Sequence, residues 1–197
     1  MIPAVVLAAG AGKRMGAVKP LLEIDGEPAL ARVIEAARGA GMKEIIVVLG
    51  HAAGGIKERL DLSGCRTVVN PDYSSGMASS LRAGIGALPP EARGFIVLHA
   101  DMPYVSPKTI ESVIAAGKAG ARIAAPVYRG KRGFPVYIDR DCIAGLVETL
   151  LGEIGARDYI AAHPEELLEI PVDDPGAVTD LDTPEDLRKE LTDAGLR

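Results

Sequence analysis

The chain has 197 residues, 48% of them hydrophobic and 25% charged, with a formal net charge of −5. That length suits a single domain over residues 1–197 with room for a core, and the acidic balance excludes a protein that coats nucleic acid with a basic face. No run approaches the roughly 18 apolar residues of a membrane span, and Cys65 and Cys142 lack metal-ligand spacing, so a cytoplasmic protein with reduced thiols and no membrane partner is expected.

Short β-rich runs alternate with helical patterns along the chain. Ala4–Ala8 reads as a first buried strand. Ala29–Ala40 has helical spacing, with Leu30, Val33, Ile34 and Ala37 on one stripe before Gly41. Glu44–Leu49 is a second strand, Ile56–Leu60 a weak helix and Arg66–Val69 a short third strand. Met77–Leu88 reads as a helix that stops at Pro89-Pro90, and Gly94–Leu98 as a strand aimed at His99-Ala100-Asp101. Ser106 can cap a helix with Pro107 in its first turn, running to about Ala116. Arg122–Ala125 and Phe134–Ile138 are strands, Asp141–Leu151 and Gly155–Ala162 look helical, and Leu168–Val172 is a late strand. Thr183 can cap a last helix with Pro184 at its start. Alternation of this kind, with continuously apolar strands, gives a mostly parallel sheet covered on both faces. Ligands of such sheets bind beyond the carboxyl ends of the strands.

The first strand runs into Leu7-Ala8-Ala9-Gly10-Ala11-Gly12-Lys13-Arg14-Met15-Gly16. Met15 stands where a dinucleotide fingerprint needs its third glycine, and neither Gly10 nor Gly12 meets the P-loop spacing. What the loop offers is small residues, Ala8, Ala9, Gly10, Ala11 and Gly12, where a base or phosphate can lie against backbone N–H groups. Two cations, Arg14 and Lys19, follow and suit phosphate oxygens as a fork and a point charge. By composition alone, a Gly-rich turn with solvated cations fits equally well.

Asp101 lies just past a buried strand, where an open sheet presents its ligand side, and Asp is a hard oxygen ligand. Asp180 or Asp182 can supply a second carboxylate from an acidic stretch near the C-terminus. His51 and His163 read as structural and solvated residues; His99, two positions before Asp101, is a strand-end residue able to orient that carboxylate.

With those residues in view, the chain resembles the nucleotidyltransferases that mature the molybdenum cofactor. Leu7–Gly16 followed by Lys19-Pro20-Leu21-Leu22 is similar to the family's first signature. Asn70–Leu81, Ala100–Pro103, Val172–Pro175 and Asp180–Asp186 resemble its later segments. The resemblance implies a three-layer α/β/α, Rossmann-like nucleotidyltransferase fold with a mostly parallel mixed sheet. It also implies Mg²⁺ on Asp101 with Asp180 or Asp182, Arg14 and Lys19 on the triphosphate, and the backbone from Leu7 to Gly12 beside the base. Asn70, Gly76 and Ser80 would complete the nucleotide pocket, and Arg132 and Arg157 are candidates for the acceptor's phosphate. Ala9 favours CTP over GTP by this likeness, because the guanylyl branch has glycine there and a methyl would crowd a purine. The implied acceptor is molybdopterin and the implied partner a molybdoenzyme; GTP as donor, or a sugar or polyol phosphate as acceptor, are alternatives. Two departures stand out: Phe134 where the family has histidine, and Glu153 where it has aspartate.

Overall fold

A computed structural model describes residues 1–10 and 18–181. Arg14, Ala11, Gly12, Asp182 and the helix expected after Thr183 lie outside the described residues. Among the described residues, ten strands and six helices follow in chain order: β1 (Ala4–Ala8), β2 (Glu23–Ile24), β3 (Glu27–Pro28), α1 (Ala29–Gly39), β4 (Ile45–Leu49), α2 (Ala53–Arg59), β5 (Arg66–Val69), α3 (Met77–Gly86), β6 (Gly94–His99), α4 (Pro107–Lys118), β7 (Ile123–Tyr128), β8 (Lys131–Arg132), β9 (Val136–Asp139), α5 (Ile143–Thr149), α6 (Arg157–Ala162) and β10 (Leu167–Pro171).

The main sheet runs β10-β7-β9-β6-β1-β4-β5, with β8 added to β7 as a hairpin. β1 pairs in parallel with β4 and β6, β4 with β5, and β7 with β10. β9 is antiparallel to both neighbours, so the sheet is mostly parallel and mixed, as expected. Side chains alternate across each strand, and this divides the core in two. Val6, Ile45, Val47, Ile96 and Leu98 face α1 and α4, through Leu30, Val33, Ile110 and Val113. Val5, Leu7, Ile46, Val48, Phe95 and Val97 face α3, α5 and α6, through Leu81, Leu146 and Ile160. This is the three-layer arrangement.

Several boundaries differ from the sequence reading, each for a local reason. The weak helix is longer, Ala53–Arg59, and starts after Ala52 in a left-handed conformation. The stretch from Asp141 begins as a 3-10 turn over Arg140–Cys142 before α5, because the Asp139 side chain accepts from the Asp141 N–H. β9 starts at Val136 and not at Phe134: Pro135 has no N–H to donate, and the Phe134 N–H is taken by the Ala177 carbonyl. The two short hairpins went unseen in the sequence. They turn at Asp25-Gly26 and Arg129-Gly130, four residues all with positive φ, the conformation that tight two-residue hairpin turns need.

Candidate active site

β1, β6 and the start of β9 end together on one edge of the sheet, since Leu7 pairs with His99 and Val97 with Val136. The loops that leave this edge carry most of the candidate residues. Lys19 opens a 3-10 turn over Lys19–Leu21, and its Nζ lies 3.2 Å from Asp101 Oδ2. Asp101 follows β6 in a turn, and its carbonyl accepts from the Leu181 N–H at 2.9 Å. Leu181 is anchored in a small apolar cluster with Ile24 and Ala29. That anchor brings Asp180 to the same place: Asp101 and Asp180 both act electrostatically on His99.

His99 is the group those charges surround. Burial pushes its imidazole below the ordinary range, and Lys19 adds to the depression, while Asp101 and Asp180 pull the other way. Desolvation of the charged ring outweighs the two carboxylates, which favours the neutral form of His99 at the base of the site. Phe134 covers it, with ring centroids 4.2 Å apart and planes tilted by 57°. The contact was not foreseen, because the two rings are 35 positions apart in the chain and the β6–β9 pairing joins them.

On the β4–β5 side the small residues at the end of β1 present backbone. The side chains of Leu7 and Ala8 belong to the two cores, and Gly10 has open space where a Cβ would be. Ala9 is buried. A methyl on Gly50 would fall 2.9 Å from the Ala9 Cβ and 2.5 Å from that of Tyr73, so the Ala9 methyl meets the loops after β4 and β5. Its route to any ligand runs through those loops. Asn70 is also buried and its amide is fully engaged. The Nδ2 donates to Ser79 Oγ at 2.8 Å and to Ser80 Oγ at 3.1 Å, and Oδ1 accepts from the Asp72 N–H at 3.0 Å. Asn70 and Ser80 thus fasten the loop from β5 to α3.

Gly76 ends that loop with φ 111°. It touches the turn after α5 so closely that a Cβ would run into the Gly152 carbonyl. That carbonyl accepts from the Ala78 N–H at 3.0 Å, and the Glu153 carboxylate accepts from the Met77 N–H at 3.4 Å. A carboxylate is well placed at a helix N-terminus, and Glu153 fills that place on α3. The departure from aspartate at this position was the available sequence signal.

Arg132 and Arg157 are not drawn to the Lys19–Asp101 pair by any contact among the described residues. Arg132 sits exposed on β8, opposite Val127, on the same edge of the sheet. Arg157 opens α6, largely exposed, with its Nε 3.4 Å from Asp158. Two open grooves of about 520 and 400 Å³ lie at the other end of the strands, lined by residues such as Lys57, Asp61 and Cys65, and Arg93, Arg122 and Asp139.

Among the described residues, no three His, Cys, Asp or Glu side chains gather into a metal cluster. Asp101 and Asp180, both close enough to act on His99, are hard-oxygen groups of the type Mg²⁺ accepts when phosphate oxygens and water fill its remaining positions. The residues present fit a divalent ion of that kind.

Comparison with known proteins places the chain in a family. Residues 4–167 match the model of the MobA-like NTP transferase domain. A protein of Paenarthrobacter nicotinovorans named nicotine blue oxidoreductase is 32% identical, over 96% of each chain. Among solved structures, Rv0371c from Mycobacterium tuberculosis H37Rv superposes with a TM-score of 0.87 at 31% identity, covering 97% of each chain. The same protein in complex with manganese gives a TM-score of 0.83 at 30% identity, covering 97% of this chain and 98% of that one.

Proposed function

This chain belongs to the MobA-like NTP transferase family, and we propose that it moves CMP from CTP to the terminal phosphate of molybdopterin, releasing pyrophosphate. The observation that carries this reading is the Lys19–Asp101 pair, 3.2 Å apart, at the carboxyl ends of two parallel strands with Asp180 beside it. A phosphate monoester is already anionic near neutral pH, so the chemistry asks for alignment and charge neutralisation and needs no general base. One oxygen of the acceptor phosphate forms a bond to the α-phosphorus of CTP, and the bond from that phosphorus to the bridging oxygen of pyrophosphate breaks. Lys19 holds phosphate oxygens and offsets the charge that grows on the leaving group; Arg14 is assigned the same task. Asp101, with Asp180 or Asp182, would hold Mg²⁺, which when bound supplies electrostatic stabilisation of the phosphate oxygens. The manganese complex of Rv0371c supports a divalent ion in the family. Backbone from Leu7 to Gly12 borders the base, with Asn70, Gly76 and Ser80 shaping the loop opposite. Arg132 and Arg157 are assigned to the acceptor, and a molybdoenzyme to receiving the product. GTP as donor, or a polyol phosphate as acceptor, would use the same centre.

The name of the P. nicotinovorans relative favours a second reading, an oxidoreductase; the failed glycine spacing after β1 weighs against a dinucleotide in that loop. Pyrophosphate release with Mg²⁺, comparing CTP with GTP and with and without molybdopterin, tests the transferase reading. Release that requires both CTP and molybdopterin is expected. Absence of release with either nucleotide, together with NADPH oxidation by the same preparation, would overturn it in favour of the second.

A further inference from the structure

We propose that Phe134 is a specificity-determining residue on the acceptor side, selecting phosphorylated acceptors with an apolar or aromatic face beside the reactive phosphate over hydroxyl-rich ones. The inference rests on the transferase reading for the location of the two substrates. The donor-side loops leave β1, β4 and β5, which form one half of the sheet. The Lys19–Asp101 pair sits at the boundary, where β1 meets β6. In an in-line displacement the entering and leaving oxygens lie on opposite sides of the phosphorus. With the leaving pyrophosphate on the Lys19 side of β1, the acceptor belongs beyond β6, over β9 and β7. The first residues of the chain on that side are Gly133, Phe134 and Pro135, which lead into β9 beside the end of β6.

The position of the Phe134 ring is set by the fold. Gly133 N–H donates to the Pro126 carbonyl at 2.9 Å and Phe134 N–H to the Ala177 carbonyl at 2.8 Å. Gly133 lies so close to that Ala177 carbonyl that no Cβ fits between them. The ring is half-buried, packed partly on the second core and partly on His99 at 4.2 Å. It is thus a partly exposed aromatic surface packed on His99, two positions before Asp101, and a ring already held by packing costs a ligand little ordering entropy. It has no polar atom. A hydroxyl set against it gives up water and gains no hydrogen bond, whereas a flat apolar face gains buried area and ring contact.

Calorimetry with phenyl phosphate and glycerol 3-phosphate tests this, in the presence of Mg²⁺ and an α,β-methylene analogue of CTP. Wild-type protein is expected to bind phenyl phosphate about three- to tenfold more tightly, the range of an aromatic contact. Phe134→Leu keeps the apolar packing and should bring the ratio near one. Phe134→His keeps a flat ring, restores polar nitrogens, and should favour glycerol 3-phosphate; it also decides the matter if the leucine variant melts out. Equal binding of both probes by the wild type, or a preference that survives both substitutions, overturns the proposal. Failure to bind either probe while the CTP analogue binds also overturns it and leaves the donor site standing. If the analogue itself does not bind, the transferase reading fails and the proposal falls with it.

Discussion

Lys19 and Asp101 are 82 positions apart in the chain and joined by a hydrogen bond, and their value differs sharply between stability and chemistry. Both side chains keep some contact with water, so the pair adds only about 0–1 kcal/mol to folding. At a phosphorus centre the same charges act on a developing anion in a partly dry site, where one electrostatic group is worth about 100-fold or more in rate. Lys19→Ala should therefore lower kcat/KM by that factor while the thermal midpoint stays within a few degrees; wild-type turnover would remove Lys19 from the mechanism. Asp101→Asn should flatten the Mg²⁺ titration of activity. Both stand out as candidates in the sequence, because a cation after a Gly-rich loop and an acid after a buried strand are chemical types at telling places; the fold adds that they meet. The roles of Asn70 and Ser80 were not legible in the sequence: only the folded chain shows that the Asn70 amide is spent on Asp72, Ser79 and Ser80.

At the scale of elements, Asp174 shows how a residue of a signature can serve the scaffold. It is buried, and its carboxylate accepts from the Ser106 N–H at 3.0 Å, Thr109 Oγ1 at 2.6 Å and the Gly176 N–H at 2.9 Å. It thus ties the start of α4 to the segment that carries Ala177 and leads to Asp180. Ser106 caps α4 as its sequence suggests, with its Oγ accepting from the Thr109 N–H, but the bond from Asp174, 68 positions away, was invisible without the fold. Asp174→Ala leaves buried donors unpaired, at about 3 kcal/mol. The urea midpoint should fall by about 1–2 M, and Asp174→Asn should recover part of the loss. An unchanged midpoint in the alanine variant would show that water replaces the carboxylate without cost.

Across the whole molecule, strand–helix alternation was enough to foresee a mostly parallel sheet with helices on both faces. It was not enough to place β9 between β6 and β7, because a short apolar strand carries no mark of its neighbours or direction. That placement matters, since it sets Phe134 against His99. A ligand that joins the loops of β1 and β6 binds the folded chain and has no partner in the unfolded one, so it must raise the melting temperature. At a hundredfold excess over Kd the gain is about 2.7 kcal/mol, or roughly 5–10 °C for 197 residues. CTP with Mg²⁺ should produce that shift, and Lys19→Ala should abolish most of it without lowering the ligand-free midpoint. GTP should give a smaller shift if Ala9, through Gly50 and Tyr73, narrows the donor site. A larger shift with GTP would reverse the donor assignment and leave the centre at Lys19 and Asp101 intact. Stabilisation by NADPH alone, unaffected by Lys19→Ala, would instead move the chemistry to another part of the fold.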